Sequence, residues 1–277
     1  MNAIIERMLD RVNGSSAQAG TAASPEPVAV HIDGVSKIYG HAGAATPALD
    51  NVSLHVAPGE FVCIVGASGC GKSTLLNLVA GLDSITSGTI NRGDAGSGKP
   101  ALMFQESALF PWLTVERNVE LALKFRKVSK AKRRERVAEL LDLVRLGGFA
   151  DKRPHELSGG MRQRVALARA MAQEAPVLLM DEPFGALDAI TRDLLHDELE
   201  RVWTDTRLSI LFVTHNVREA VRLGDRVVML SSRPGRVVAE FPVDAARPRR
   251  IESPEVAELS GQILERLRQE VSRHGDR

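Results

Sequence analysis

The sequence predicts an α/β fold: a parallel sheet with a helical region inserted into it. Three observations carry this expectation. The runs 60–66 (EFVCIVG), 175–183 (APVLLMDEP) and 208–215 (LSILFVTH) are continuously apolar instead of alternating, as strands covered on both faces are. A helix-forming stretch, 72–80, directly follows the first run, and strands alternating with helices assemble as a parallel sheet. Between Phe104 and Ala172 the strand pattern gives way to mostly helical spacing, which reads as an inserted lobe.

The other elements follow in order. Residues 1–12 (MNAIIERMLDRV) repeat Ile4, Ile5, Met8, Leu9 and Val12 near helical spacing. With Glu6 and Asp10 among them and no apolar signal core, they read as a frayed helix or a docking segment, not a secretion signal. Residues 13–27 are small, polar and proline-ended, a flexible extension, so the folded part is expected to begin near Val28. Residues 28–38 and 48–56 read as strands of an antiparallel β subdomain, separated by a Gly/Ala loop at 40–47. RVVMLSS (226–232) and RVVAEFPV (236–243) look like a closing strand pair. Residues 254–273 form a final amphipathic helix, with Val256, Leu259, Ile263, Leu267 and Val271 on one stripe. The expected organisation is an extension at 1–27, a main domain at 28–245 with the lobe at about 105–172, and a helical tail at 246–277.

Composition bounds the function. Hydrophobic residues are 44% and charged residues 26% of 277, an ordinary globular balance. The net charge of +1 gives no support to nucleic-acid binding. Cys63 falls on a buried-looking strand and Cys70 inside a glycine loop, which fits a reducing compartment and argues against a disulfide scaffold. No apolar run approaches the ~20 residues that span a bilayer.

Gly66, Gly71, Lys72 and Ser73 stand at the G-x-x-x-x-G-K-S spacing of a phosphate-binding P-loop, between a buried strand and a helix. Backbone N–H groups from Gly66, Ala67, Ser68, Gly69, Cys70, Gly71, Lys72, Ser73 and Thr74 can curl around phosphate oxygens. Lys72 is placed for the β- and γ-phosphates and the Ser73 hydroxyl for Mg²⁺. Gly93–Lys99 (GDAGSGK) repeats the pattern, but Pro100 follows it. Proline supplies neither the hydroxyl nor an N–H, so a plain turn is expected there. In the run VLLMDE, Asp181 is placed to hold Mg²⁺ through water. Glu182 follows at the strand tip, where its carboxylate can orient or deprotonate an attacking water. An Asn-Lys-x-Asp base-reading motif is absent, which argues against a GTPase. A P-loop NTPase core is the expectation.

A second phosphate-suited turn, LSGGM (157–161), opens an Ala- and Arg-rich helix. With the motifs above in this order, the chain resembles the ATP-binding subunits of ABC transporters from Val28 to about Pro242. Leu157 to Met161 look like the family's signature, Gln105 its Q-loop, Gly185 to Asp188 its D-loop and His215 its switch histidine. The resemblance implies two copies packed head to tail, each ATP lying between one P-loop and the partner's signature. Ser158, Gly159 and Gly160 would then touch the γ-phosphate of the partner's ATP, and Asp188 would bridge the two sites. It further implies Glu182 as catalytic carboxylate, His215 as a γ-phosphate contact, Gln105 as sensor of Mg²⁺ and water, and Tyr39 as the ring stacked on adenine.

The same resemblance implies a homodimer at the cytoplasmic face of the inner membrane, joined to a separate membrane permease and indirectly to a substrate-binding protein. Leu109, Phe110, Pro111 and Trp112 crowd beside the Q-loop, as a permease socket or as lobe core. The basic stretch RKVSKAKRRERV (126–137) reads as a solvated helix start, since Glu139 and Asp142 follow it. LFPWLTV (109–115) and SSRPGRVV (231–238) resemble importers of nitrate, alkanesulfonates and taurine. The alternative from another class is a soluble, non-transport ABC ATPase of DNA repair, translation or assembly.

Overall fold

The computed structural model describes residues 28–40, 45–92, 99–185 and 187–275. The readings of 1–27, and of the glycine turn up to residue 98, fall outside the described residues.

The continuous apolar runs form the centre of a six-stranded sheet ordered β5-β6-β7-β3-β8-β9. Its strands are β3 Phe61–Val65, β5 Ala101–Met103, β6 Val177–Asp181, β7 Ser209–Val213, β8 Arg226–Leu230 and β9 Val237–Pro242. All pairings are parallel except β8 with β9, the expected closing pair. Every residue of β3 and β7 is buried, and so is β6 up to Asp181. The other sheet is antiparallel, β2-β1-β4, from β1 Val30–Tyr39, β2 Thr46–Val56 and β4 Ser87–Asn91.

Alternate side chains of β3 feed opposite faces of the central sheet. Val62 and Ile64 pack with the antiparallel sheet and with Leu75, Leu76 and Val79 of α1, Lys72–Ala80. Phe61, Cys63 and Val65 join a second core that continues into the helical lobe. That lobe comprises α2 Val115–Phe125, α3 Lys130–Leu143, two short 3-10 turns and α4 Gly159–Met171. Val119, Leu123, Val137 and Leu140 are fully or almost fully buried there. The basic start of α3 is mostly exposed, as expected.

Two further helices, α5 Ala189–Thr206 and α6 Val217–Leu223, follow β6 and β7. The last helix, α7 Pro254–Gly275, packs against α6. Its buried stripe departs from the expected one. Val256 and Ile263 are buried, but Val271 is 44% exposed and Glu270 takes the inward position. The helical phase carries 270, not 271, beneath the helix after 256, 263 and 267. Strand β2 also begins inside the expected 40–47 loop, at Thr46, because Thr46 and Pro47 pair with Tyr39 and Ile38.

Parallel register brings the functional segments to one edge. Ile64 and Asp181 both pair with Val213. The ends of β3, β6 and β7 therefore deliver the P-loop, Asp181–Glu182 and His215 side by side, at the carboxyl end of the strands where open α/β sheets place ligands.

Candidate nucleotide site

The P-loop takes its shape from its glycines. Gly71 has φ 99°, and an added Cβ would stand 2.7 Å from Leu49 Cδ2 and 2.8 Å from the Ala48 carbonyl. A side chain at Gly66 would press on Cys70 Sγ at 2.8 Å. The Cys70 thiol is turned into the core, and burial raises its pKa. Gly71 is also the N-cap of α1 and supplies no side-chain cap, so first-turn N–H groups remain open to an anion. Lys72 Nζ donates to the Gly66 and Ala67 carbonyls at 2.9 and 3.0 Å. Tyr39, Ser68, Gly69, Gly71, Lys72, Ser73, Thr74 and Glu182 line one cleft. Thr46, Ala48 and Arg233, which the motifs did not single out, line it too.

Next to this cleft stand the acidic groups. Ser73 Oγ donates to Asp181 Oδ1 at 3.1 Å, a pair of oxygen ligands that fits a hard divalent cation. Burial raises the Asp181 pKa and the neighbouring Glu182 charge adds to this, while the Ser73 bond opposes them. Glu182 sits in the left-handed region at φ 44°, a conformation costly for a residue with a Cβ and tolerated at functional turns. Its Oε2 lies 2.8 Å from His215 Nδ1. Carboxylates only accept, so Nδ1 carries the proton of that bond. A Cβ on Gly185 would stand 3.5 Å from Gln105 Nε2 and 3.8 Å from Glu182 Oε2, which places the Gln105 amide near the same carboxylate.

Beneath His215 lies a buried network outside the sequence expectations. Thr214 Oγ1 donates to Glu219, whose Oε1 is 2.6 Å from Nε2 of the fully buried His196. Arg222 donates to His196 Nδ1 at 3.2 Å, which leaves Nε2 as the protonated nitrogen. The network ties α5 to the loop that carries His215.

Tyr39 is 42% exposed at the cleft edge. Its hydroxyl donates to Asp83 Oδ2 at 2.8 Å. Lys37 Nζ donates to Asp83 Oδ1 at 2.7 Å and lies 4.7 Å over the Tyr39 ring. Those bonds, from Lys37 first and Tyr39 second, hold the Asp83 carboxyl below the usual range.

The second glycine turn is built differently and stands elsewhere. Ser158 is the N-cap of α4, and its Oγ accepts from Met161 N at 3.2 Å. A side chain at Gly160 would collide with Thr191, and one at Gly159 would reach Leu187 at 3.3 Å. Asp188 caps α5 by accepting from Thr191 N at 2.9 Å. Ser158, Gly159, Gly160 and Asp188 thus share one neighbourhood, and none of them lines the P-loop cleft. Ala186, within the D-loop match, lies outside the described residues.

Residues 49–185 match the family model described as ABC transporter. The chain is 48% identical over 219 residues to the nitrate import ATP-binding protein NrtD of Synechocystis sp., covering 78% of this chain and 82% of that protein. It is 42% identical over 243 residues to the aliphatic sulfonates import ATP-binding protein SsuB of Bacillus subtilis, covering 86% and 93%. The chain belongs to the ABC transporter ATP-binding proteins. Among solved structures, a dimeric bacterial ABC transporter cassette superposes with TM-score 0.67 at 35% identity, over 78% of this chain and all of that one. A related dimeric structure, TM-score 0.66, is a post-hydrolysis state bound to ADP and phosphate. As a member of this family, the chain is an ATP-binding ATPase with the P-loop NTPase fold. Among its described residues no helix is long and apolar enough to cross a membrane.

Proposed function

We propose that this ABC ATPase dimerises head to tail around two ATP molecules and drives a separate membrane permease in an importer for sulfonates such as taurine, with nitrate as the second choice of cargo. The observation that carries the dimer is the separation of the two glycine turns. The cleft holds a phosphate cradle, Lys72 and Glu182, while the turn that begins with exposed Ser158 and half-buried Gly159 lies outside it. Each chain thus presents two unlike halves of a site, and a second copy completes both. Residues 28–245 would form the ATPase unit, with the 246–277 tail resting on it through Val256 and Ile263.

In that site Lys72 and the loop amides bind the β- and γ-phosphates, and Tyr39 stacks on adenine. Glu182, held by the His215 bond, accepts a hydrogen bond from the attacking water and orients it. Gln105 would sense Mg²⁺ and the water and pass that state to the helical lobe. Ser73, Asp181 and Gln105 would hold Mg²⁺, which supplies charge neutralisation at the phosphate oxygens.

The permease reading rests on the segment after Gln105. Asn118 is fully buried; its side chain accepts from Phe110 N at 2.8 Å and donates to the Phe110, Leu113 and Thr114 carbonyls at 3.2, 3.3 and 2.9 Å. Trp112 on that fixed loop is 68% exposed, apolar bulk suited to a permease helix at the membrane's inner face. Cargo is inferred from the sulfonate and nitrate relatives alone, because the ATPase does not touch it.

Mixing tests the dimer. Lys72→Ala and Ser158→Arg chains should each be inactive alone, whereas their heterodimer carries one intact site and should regain ATPase activity. Heterodimers that form and stay inactive would remove the trans assignment. Deleting the gene should abolish growth on taurine or an alkanesulfonate as sole sulfur source while growth on sulfate persists. Unchanged uptake of labelled sulfonate and nitrate in that strain would remove the cargo assignment.

A further inference from the structure

The SSRPGRVV segment lends the cleft a cation that the phosphate-loop motif does not contain. Arg233 lines the cleft with Tyr39, Ser68, Gly69, Lys72 and Ser73. Its Nε donates to the Gly69 carbonyl at 3.3 Å, so the side chain is anchored on the P-loop itself. Three arginines near it in the chain are committed to carboxylates, Arg226 to Glu60 and Glu240, Arg236 to Asp50, and Arg247 to Glu200 and Asp225, and Arg249 is committed to backbone carbonyls. Among the described residues Arg233 has no carboxylate partner.

The turn that carries it is firmly held. Ser231 Oγ donates to the Pro234 carbonyl at 2.8 Å and accepts from Arg236 N at 2.9 Å. Gly235 N donates to the Ala48 carbonyl, and Asp50 N donates to the Gly235 carbonyl, each at 2.9 Å. Any side chain at Gly235 would collide with the Cys70 carbonyl. The turn is therefore packed directly against the phosphate loop and β2, and the guanidinium is presented from a rigid base.

We propose that Arg233 is an additional nucleotide-binding residue, its guanidinium contacting the phosphate chain of ATP alongside Lys72. This rests on the nucleotide reading of the cleft. The chemistry favours phosphate: a planar fork of N–H donors matches paired phosphate oxygens, and anchoring through Nε leaves the terminal nitrogens as donors. The contact supplements Lys72 and takes no part in the proton chemistry at Glu182.

The test is Mg·ATP affinity of the full chain, by calorimetry, for wild type, Arg233→Ala, Arg233→Gln and Lys72→Ala. Both Arg233 variants should raise Kd roughly tenfold or more, as loss of a charge-assisted hydrogen bond does. Arg233→Lys should recover part of the loss, and the affinity of either neutral variant should depend less steeply on salt than that of wild type. Both neutral variants binding within twofold of wild type while Lys72→Ala loses binding would overturn this proposal and leave the cleft assignment standing. Lys72→Ala also binding normally would overturn the cleft assignment itself. Unchanged affinity with loss of the ATP-dependent dimer would show the guanidinium facing the partner chain, and would equally overturn it.

Discussion

The helix starting at Lys72 and the helix starting at Gly159 are both entered through glycine-rich turns, yet their first turns are finished differently. At Lys72 the cap residue is a glycine with no side chain to offer, and Lys72, Ser73, Asp181 and Glu182 gather around the opening. At Gly159 the cap is Ser158, which satisfies Met161 N within its own chain. Its neighbours among the described residues include Leu187, Thr191 and the Arg162 guanidinium, with Asp188 capping the adjoining helix. On the proposed reading the first start is a nearly complete catalytic half-site. In the proposed dimer the second is a donor surface whose hydroxyl and amides would acquire a role when the partner's phosphate is brought to them. The number of glycines does not separate the two; what surrounds the helix end does.

Substitutions can break this contrast, and the largest effect should fall on the catalytic half. Glu182→Gln should still bind Mg·ATP but lose turnover by about 10²–10⁴-fold, the range for an acid–base group. Phosphate release measures the loss, and gel filtration with ATP should show the dimer accumulating. Near-normal hydrolysis would remove Glu182 from the chemistry. At the base end, Tyr39→Ala should weaken ATP binding by about 1–3 kcal/mol, the range for base–aromatic stacking. Calorimetry within a factor of two of wild type would remove the ring from the site.

On the donor half, Ser158→Ala should lower thermal stability by about 1 kcal/mol through the lost cap. It should cut turnover while leaving ATP affinity of the isolated monomer unchanged. A drop in monomer affinity would mean that Ser158 serves its own chain's nucleotide. The smallest effect is expected at Asp83. Its carboxyl pKa is depressed, by the Lys37 bond first. Its stabilising contribution is therefore present above the ordinary carboxylate value and lost as pH falls through the lower folded one. Asp83→Asn should flatten the acid limb of melting temperature against pH and weaken ATP binding by less than Tyr39→Ala does. An unchanged acid limb would show that the Lys37–Asp83 pair carries no such linkage.

Legibility in the sequence followed burial and motif density. β3, β6 and β7 were readable because strands covered on both faces leave uninterrupted apolar runs. β4 was not, since SGTIN is exposed at four positions and half-buried at one and leaves no alternation to find. Val271 was assigned to the wrong side of α7 because a valine outweighs a glutamate in a hydrophobic pattern, whereas the fold buries Glu270. In the candidate site, residues that act through local order, such as Lys72, Ser73 and Asp181–Glu182, announced themselves by spacing. Arg233, Asp83 and the His196–Glu219 pair did not, because each reaches its partner across strands or helices far apart in sequence. The one available signal for Arg233 was a Pro-Gly turn directly after a buried strand on the P-loop side of the sheet.

One attachment made by α4 has a consequence for coupling. Gln163 donates to the Gln105 carbonyl at 2.8 Å, and Arg169 donates to the Ser107 and Ala108 carbonyls at 2.9 and 2.7 Å. The helix that would offer Ser158 to a neighbour's nucleotide is thus tied at two points, Gln163 and Arg169, to the segment that would sense its own chain's nucleotide. In the proposed dimer such stitching would let the filling of one cleft be felt at the donor turn that the same chain offers its neighbour, so that each chain's two half-sites tune one another through α4.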